Sequence, residues 1–263
     1  MYSKFKVDIE NYTFSPILYD TGKIILGSHK NTVKSKLDRF VNYDTGIING
    51  DLLEKELFKE IKADVFLSHS HSDERLAVTF AGWLKTHFNL TAFVDSCVWE
   101  YANDILEEIN NRYNLIRKES DGSKTYSHNK ANYAASHVYL MLNSALNNMI
   151  NKTECFMFID TKQSCFYMDK DKASGKTLSP WIYSEIVMAN TMKPSDLKRA
   201  YQLTEFAHSD IRNQLQISHN LDFSTFVDLD SSDLDVWEKN KKDNVHPLDT
   251  LYYIKAKGNT LNG

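Results

Sequence analysis

The sequence predicts an α/β protein built on a parallel sheet with helices on both faces. Three observations predict it. The runs Val65-Phe66-Leu67 and Cys155-Phe156-Met157-Phe158-Ile159 are continuously apolar, as in strands covered on both sides. Between such runs, apolar residues recur every three or four positions, the spacing of amphipathic helices. The two kinds of segment also alternate along the chain, which favours crossover units over hairpins.

Taken in order, residues 1 to about 50 mix short β-like pieces with turn signals, such as Asp20-Thr21-Gly22 before Lys23-Ile24-Ile25-Leu26. Leu52, Leu53, Leu57, Phe58 and Ile61 then mark a helix leading into the Val65 strand. Leu76, Phe80, Trp83, Leu84 and Phe88 mark the next helix, with Asp73 and Glu74 in its first turn, where the helix dipole favours negative charge. Thr91 to Val94 is a second strand. Ile105, Leu106, Ile109 and Tyr113 form a second stripe. Residues 115 to 133 are polar, turn at Asp121-Gly122, and read as an inserted surface loop. Val138, Met141, Leu142, Ala145, Leu146 and Met149 are helical again, and Cys155 to Ile159 is the third strand. Ser179 followed by Pro180 suits a helix start. Ser224 to Leu229 is a fourth strand.

Composition narrows the function classes. The 263 residues suffice for one large domain or a domain with additions, and 42% hydrophobic content is that of a chain with a real core. A formal charge of −4 lacks the basic excess that nucleic acid or an anionic membrane surface demands. The three cysteines, Cys97, Cys155 and Cys165, have no CxxC spacing and fit a reducing compartment. No apolar run follows Met1 to Lys6 as in a signal peptide, and no stretch approaches the ~20 residues of a membrane span. A cytoplasmic location is expected. No Gly-rich phosphate loop is present.

In a parallel sheet, ligands bind outside the carboxyl ends of the strands. Ser68 to Ser72, Asp95 to Tyr101 and Asp160 to Ser179 follow strand ends and are expected on one rim. Glu185 stands one helical turn after Trp181, so the two share a face, while Ile182, Ile186 and Ala189 point toward the core. By spacing alone, a helix glutamate is ordinarily a solvated one.

Three segments weigh against that ordinary reading. Asp64-Val65-Phe66-Leu67-Ser68-His69-Ser70, with Asp73-Glu74 opening a helix, resembles the start of a Toll/interleukin-1 receptor (TIR) domain. Phe93-Val94-Asp95-Ser96 through Trp99 to Ala102-Asn103-Asp104 resembles the region around that family's BB loop, although the glycine and proline of many members are missing. Ser179, Trp181 and Glu185 match the segment in which a glutamate follows an aromatic or small residue by one turn. The resemblance is greatest to bacterial TIR proteins. It implies a flavodoxin-like TIR domain over 62–230 with an insertion at about 115–136, an N-terminal extension over 1–61 and a C-terminal addition over 231–263.

The resemblance also implies an enzyme that cleaves the nicotinamide–ribose bond of NAD, the substrate, with no separate cofactor. The product is then ADP-ribose or a cyclic ADP-ribose signal, often in defence against phage, read by a separate effector protein. Self-association through TIR contacts is implied as well. Glu185 is the expected catalytic carboxylate. Ser68, His69, Ser70, Asp95, Trp99 and Trp181 are the expected substrate-binding residues, four of them with a plainer alternative: core packing for the two tryptophans, a satisfied loop histidine for His69, a turn cap for Asp95. One carboxylate suffices for such chemistry, because the pyridinium leaving group departs neutral and requires no general acid.

Two other classes compete. A non-enzymatic interaction module would use the same surface for TIR–TIR contact. A metallohydrolase would use His69-x-His71-x-Asp73, which resembles the metal motif of the metallo-β-lactamase fold; there Glu74 stands where that family has histidine.

Overall fold

The computed structural model describes residues 1–33, 48–57, 61–167, 174–192 and 218–261, without the side chains of 29–33, 56–57, 97–101, 174 and 257–261. The chain divides into two compact units, one of Met1–Leu26, Lys62–Asp95 and Met149–Gly263, the other of Gly27–Ile61 and Ser96–Asn148.

The first unit holds a five-stranded, all-parallel sheet flanked by helices, a flavodoxin-like α/β architecture. Its strands are β1 (Ser3–Asp8), β2 (Val65–Ser68), β3 (Ala92–Val94), β6 (Cys155–Ile159) and β9 (Val227–Asp230), in the order β3-β2-β6-β1-β9. Phe66 and Phe156 stack across β2 and β6 at 5.4 Å, and all five residues of β6 are fully buried. The ring β3-β2-β6 repeats the 2-1-3 start of flavodoxin-like order. The next position belongs to the first strand of the chain.

That strand changes the expected boundaries. Residues 1–61 read as an extension to the sheet-forming domain, yet Ser3–Asp8 lie between β6 and β9 with Phe5 and Val7 wholly buried. The alternating Lys4 and Lys6 disguised it. Both are buried along their stems while their ammonium groups reach partners, Lys4 at Asn190 and Thr225, Lys6 at Asp228, 3.0 Å away. Residues 231–263 likewise read as an addition, but α7 (Ser231–Lys239) and α8 (Pro247–Leu261) contribute Leu234, Trp237, Leu248, Leu251 and Tyr252 to the same core.

The β-like piece at Lys23–Leu26 is helical, inside α1 (Pro16–Val33). Gly22 there makes no turn. A Cβ on it would stand 1.8 Å from the carbonyl oxygen of Val78, and one on Gly82 would stand 1.9 Å from that of Leu18. The two glycines let α1 and α3 (Glu74–Phe88) touch backbone to backbone. Asn89 ends α3 in the left-handed conformation, φ 57°, with its N–H on the carbonyls of Leu84 and Lys85.

In the second unit are α2 (Gly50–Leu57), α4 (Ser96–Ile109), the hairpin β4 (Leu115–Lys118) and β5 (Lys124–Tyr126), and most of α5 (His128–Lys152). Two loop expectations fail here. The segment after Asp95 is no loop, since α4 starts at Ser96. The polar stretch after residue 115 is an antiparallel hairpin whose turn carries Gly122 at φ 88°. In the first unit, β7 (Ser174–Thr177) and β8 (His219–Asp222) make a second antiparallel pair, bracketing α6 (Pro180–Thr191) in sequence.

Candidate active site

Four side chains converge at the carboxyl edge of the sheet. Ser68 is the last residue of β2, His69 the next, Asp95 follows β3, and Glu185 lies in the second turn of α6. The start of α6 is set locally: Ser179 accepts a hydrogen bond from the Ile182 N–H at 3.3 Å, and Pro180 occupies the first turn. The Ser68 hydroxyl donates to Glu185 Oε2 at 2.6 Å. His69 Nδ1 lies 2.6 Å from Asp95 Oδ1, and Asp95 lies near enough to Glu185 to raise the pKa of its carboxyl. Relative exposures are 0% for Ser68, 4% for His69, 3% for Asp95 and 1% for Glu185.

Two carboxyl groups in contact and out of water cannot both ionise cheaply. Burial pushes the Glu185 carboxyl well above the usual carboxylate range and the neighbouring Asp95 raises it further, against the Ser68 hydroxyl, which pulls it down. Burial opposes the imidazolium of His69, but the Asp95 carboxylate outweighs it, and the His69 pKa stands above its ordinary value.

The site therefore brings together four of the seven expected residues. Ser68, expected to touch ligand, is hydrogen-bonded to Glu185 itself, and Asp95 is paired with His69. Ser70 is not in the row; its hydroxyl accepts from the Ser72 N–H at 3.3 Å and caps the single 3-10 turn His71–Asp73. Trp181 is half-buried in the first turn of α6. Trp99 falls in α4, and its side chain is outside the described residues.

The metal triad does not form. His69 is committed to Asp95, His71 is exposed, and Asp73 accepts from the Thr161 hydroxyl at 2.6 Å. Among the described residues, ligand-type atoms converge instead at Glu154, His246 and Asp249, within 4.8 Å of one another and half-buried. These are the residues that would hold a metal. They also serve the start of α8, where carboxylates complement the helix dipole, and Tyr252 donates to Glu154 at 3.2 Å.

A second feature of the rim escaped the sequence. An open cleft of about 320 Å³ is lined by Asp8, Glu10, Asp160, Thr161, Lys162, Cys165, Phe166 and Tyr167, beyond the ends of β1 and β6. Asp160 accepts from the Tyr167 hydroxyl at 2.8 Å and the Cys165 thiol at 3.1 Å, and Lys162 pairs with Glu10 at 2.9 Å. The β6 strand placed Asp160 on the rim in advance. Asp8 and Glu10 carry no such signal, because the alternating Lys4-Phe5-Lys6-Val7 of β1 does not mark a buried central strand.

No protein-family model matches the sequence, and no curated protein or solved structure matches it. The functional reading rests on the residues themselves.

Proposed function

We propose that the protein is an NAD-consuming enzyme that breaks the nicotinamide–ribose bond through Glu185. The observation that carries this reading is the Ser68–Glu185 hydrogen bond of 2.6 Å. It sets a carboxyl, on the helix after β6, against the end of β2, on the rim where parallel sheets bind ligands. Two further supports are local. The segments that resemble a TIR domain, around Ser68, Asp95 and Glu185, meet in one cluster. The carboxyl is also held at Oε2 by the Ser68 hydroxyl, which limits the reorganisation required of it during reaction.

The chemistry runs as follows. The C1′–N bond breaks with its electron pair leaving on the nicotinamide nitrogen, which becomes neutral. The ribose develops oxocarbenium character, and an ionised Glu185 stabilises it or holds its hydroxyls. Water, or a nucleophile within the ADP-ribose, forms the new bond at C1′, and one proton is released. Substrate reaches Glu185 by displacing the side chains that cover it. ADP-ribose or a cyclic ADP-ribose is the product, self-association completes the site, and a separate effector reads the product in defence against phage. No helix of the described residues is long and apolar enough to cross a membrane.

The 1% exposure of Glu185 favours a second reading, a non-enzymatic interaction module in which the network is structural. Purified protein at high concentration, incubated with NAD alongside Glu185→Ala, decides between them. The enzyme reading expects nicotinamide release that vanishes in the variant, with product mass separating ring from chain. The module reading expects no release from either.

A further inference from the structure

We propose that Glu154, His246 and Asp249 form a structural divalent-cation site, of the kind zinc takes, that clips helix α8 to the sheet. The site is independent of the NAD reading, because it lies at the other edge of the sheet. Glu154 immediately precedes β6, at the amino end of that strand, whereas Ser68, His69 and Asp95 stand at the carboxyl ends of β2 and β3.

Three donors from two elements meet there. One ligand-type atom from each residue lies within 4.8 Å of the other two, and all three residues are half-buried. His246 and Asp249 stand three positions apart at the start of α8, where the His246 carbonyl accepts from the Asp249 and Thr250 N–H groups at 3.0 and 3.3 Å. The Trp237 indole N–H donates to the Pro247 carbonyl at 2.9 Å and fixes that turn. Glu154 is tied to the sheet, its N–H donating to the Asp64 carbonyl at 3.1 Å.

A second observation points to an ion. Nδ1 of His246 is buried and has no hydrogen-bond partner, a state that costs free energy until something pairs with it. The helix dipole accounts for Asp249 in the first turn of α8. It does not account for Glu154, which belongs to another element, or for an imidazole, which gains nothing from the positive end of a helix. The two carboxylates repel each other, and the Met1 ammonium that acts on Glu154 offsets one charge of the two. A divalent cation offsets both and pairs the nitrogen. Glu154 is also braced as metal-binding carboxylates are. It accepts from the Tyr252 hydroxyl at 3.2 Å, and the Tyr252 ring is locked against Tyr2 and Phe5 at 5.1 and 6.1 Å.

The donor set selects the ion. One imidazole nitrogen and two carboxylate oxygens suit zinc, with the fourth position left to water. Calcium and magnesium take oxygen ligands instead. In a tetrahedral zinc site the ligand atoms stand about 3.3–3.5 Å apart, so these half-buried side chains close by about 1 Å on the ion. Cys155 is next in sequence to Glu154 but fully buried within β6, and is not a ligand. The ion then joins the start of α8 to the edge of the sheet, beside the core contacts that Leu248, Leu251 and Tyr252 already make.

The test titrates zinc chloride by calorimetry into the chelator-treated full chain and follows thermal unfolding with and without the ion. The expected result is one zinc per chain, bound at micromolar Kd or tighter. Tm rises by about 5 °C or more at 100-fold excess over Kd. His246→Gln and Asp249→Asn each melt like the zinc-free wild type, bind zinc about 100-fold more weakly or worse, and lose the rise in Tm. Tyr252→Phe keeps the ligands but weakens binding about 10-fold, since Glu154 loses its brace. Cobalt(II) in place of zinc gives a visible spectrum with no thiolate charge-transfer band. No zinc bound, undiminished binding by both His246→Gln and Asp249→Asn, a thiolate band, or an equal rise in Tm with magnesium or calcium would each overturn the proposal. Two ligand variants keep the test open where one of them fails to fold.

Discussion

The hydroxyl of Ser68, at the end of β2, donates to the carboxyl of Glu185 in α6 at 2.6 Å across 117 positions of sequence. Neither group is exposed to solvent in any useful degree, and each is held by a secondary-structure end: a strand terminus on one side, a capped helix start on the other. A buried carboxyl so placed has to be neutralised by a proton or by a cation. The same geometry sets both the stability of the rim and the chemistry proposed for it.

His69 pairs with Asp95, the carboxyl neighbour of Glu185. His69→Ala removes the imidazole paired with Asp95, and loss of one member of a buried charge pair costs about 3–5 kcal/mol. The loss is expected to be larger at pH 5, below the unfolded-state value of the imidazole, and smaller at pH 8. The wild-type imidazole, with its raised pKa, contributes stability that is present below its unfolded value and lost as pH rises through the folded one. Urea unfolding at the two pH values checks this, and an equal loss at both would contradict it.

The glycines of α1 and α3 predict opposite signs for the same chemical change. Gly82→Ala places a methyl group 1.9 Å from the Leu18 carbonyl oxygen, so the helices must part, and about 1–3 kcal/mol or more is lost. Gly27→Ala, in α1 with nothing within 4 Å of the new carbon, is expected to gain up to about 1 kcal/mol from helix propensity. Thermal unfolding of the pair reads the signs directly.

Cys155 and Cys165 are both buried, and burial pushes each thiol far above its ordinary pKa, with Glu154 and Asp160 respectively adding to the shift. Neither is a nucleophile at neutral pH. Iodoacetamide at pH 7.5 is expected to leave both unmodified in the native protein and to alkylate both after denaturation, as peptide mass mapping would show. Rapid native labelling of Cys165 would mean the Asp160–Tyr167 cleft opens further than its geometry here.

Much of this fold is legible in the sequence because burial on both faces erases ambiguity. Val65 to Leu67 and Cys155 to Ile159 have nothing polar to place outward, so they read as central strands and are. Trp83 and Phe88 mark α3 by helical spacing. Ser179 and Pro180 mark the α6 start through the capping chemistry of their own side chains. β1 was illegible for the opposite reason: Lys4 and Lys6 alternate with Phe5 and Val7, the pattern of a strand with one wet face, and only tertiary partners at Asn190, Thr225 and Asp228 make their burial tolerable. Gly22 looked like a turn because a glycine's use in close helix packing leaves no local trace. At the site, the rim position of Ser68, Asp95 and Glu185 followed from strand ends. That Ser68 addresses Glu185 did not, because hydrogen-bond partners across 117 residues have no sequence signature.

Loss of the Ser179 cap makes a smaller, graded prediction. Ser179→Ala frees the Ile182 N–H and is expected to cost about 1 kcal/mol, fraying the turn that carries Trp181 and leads to Glu185. Amide exchange at Ile182 and Tyr183 should rise while exchange in β6 stays slow.

The central claim is that Glu185 acts on a nicotinamide nucleotide. The most direct measurement compares nicotinamide release from NAD by the wild type and by Glu185→Gln at equal concentration, with both proteins shown folded by thermal unfolding. Glutamine keeps the size of the protonated acid and its ability to donate but cannot ionise. The account predicts steady release by the wild type and a loss on the order of 10²-fold or more in the variant. Equal release by both proteins, or none from a folded wild type at any concentration, would contradict it.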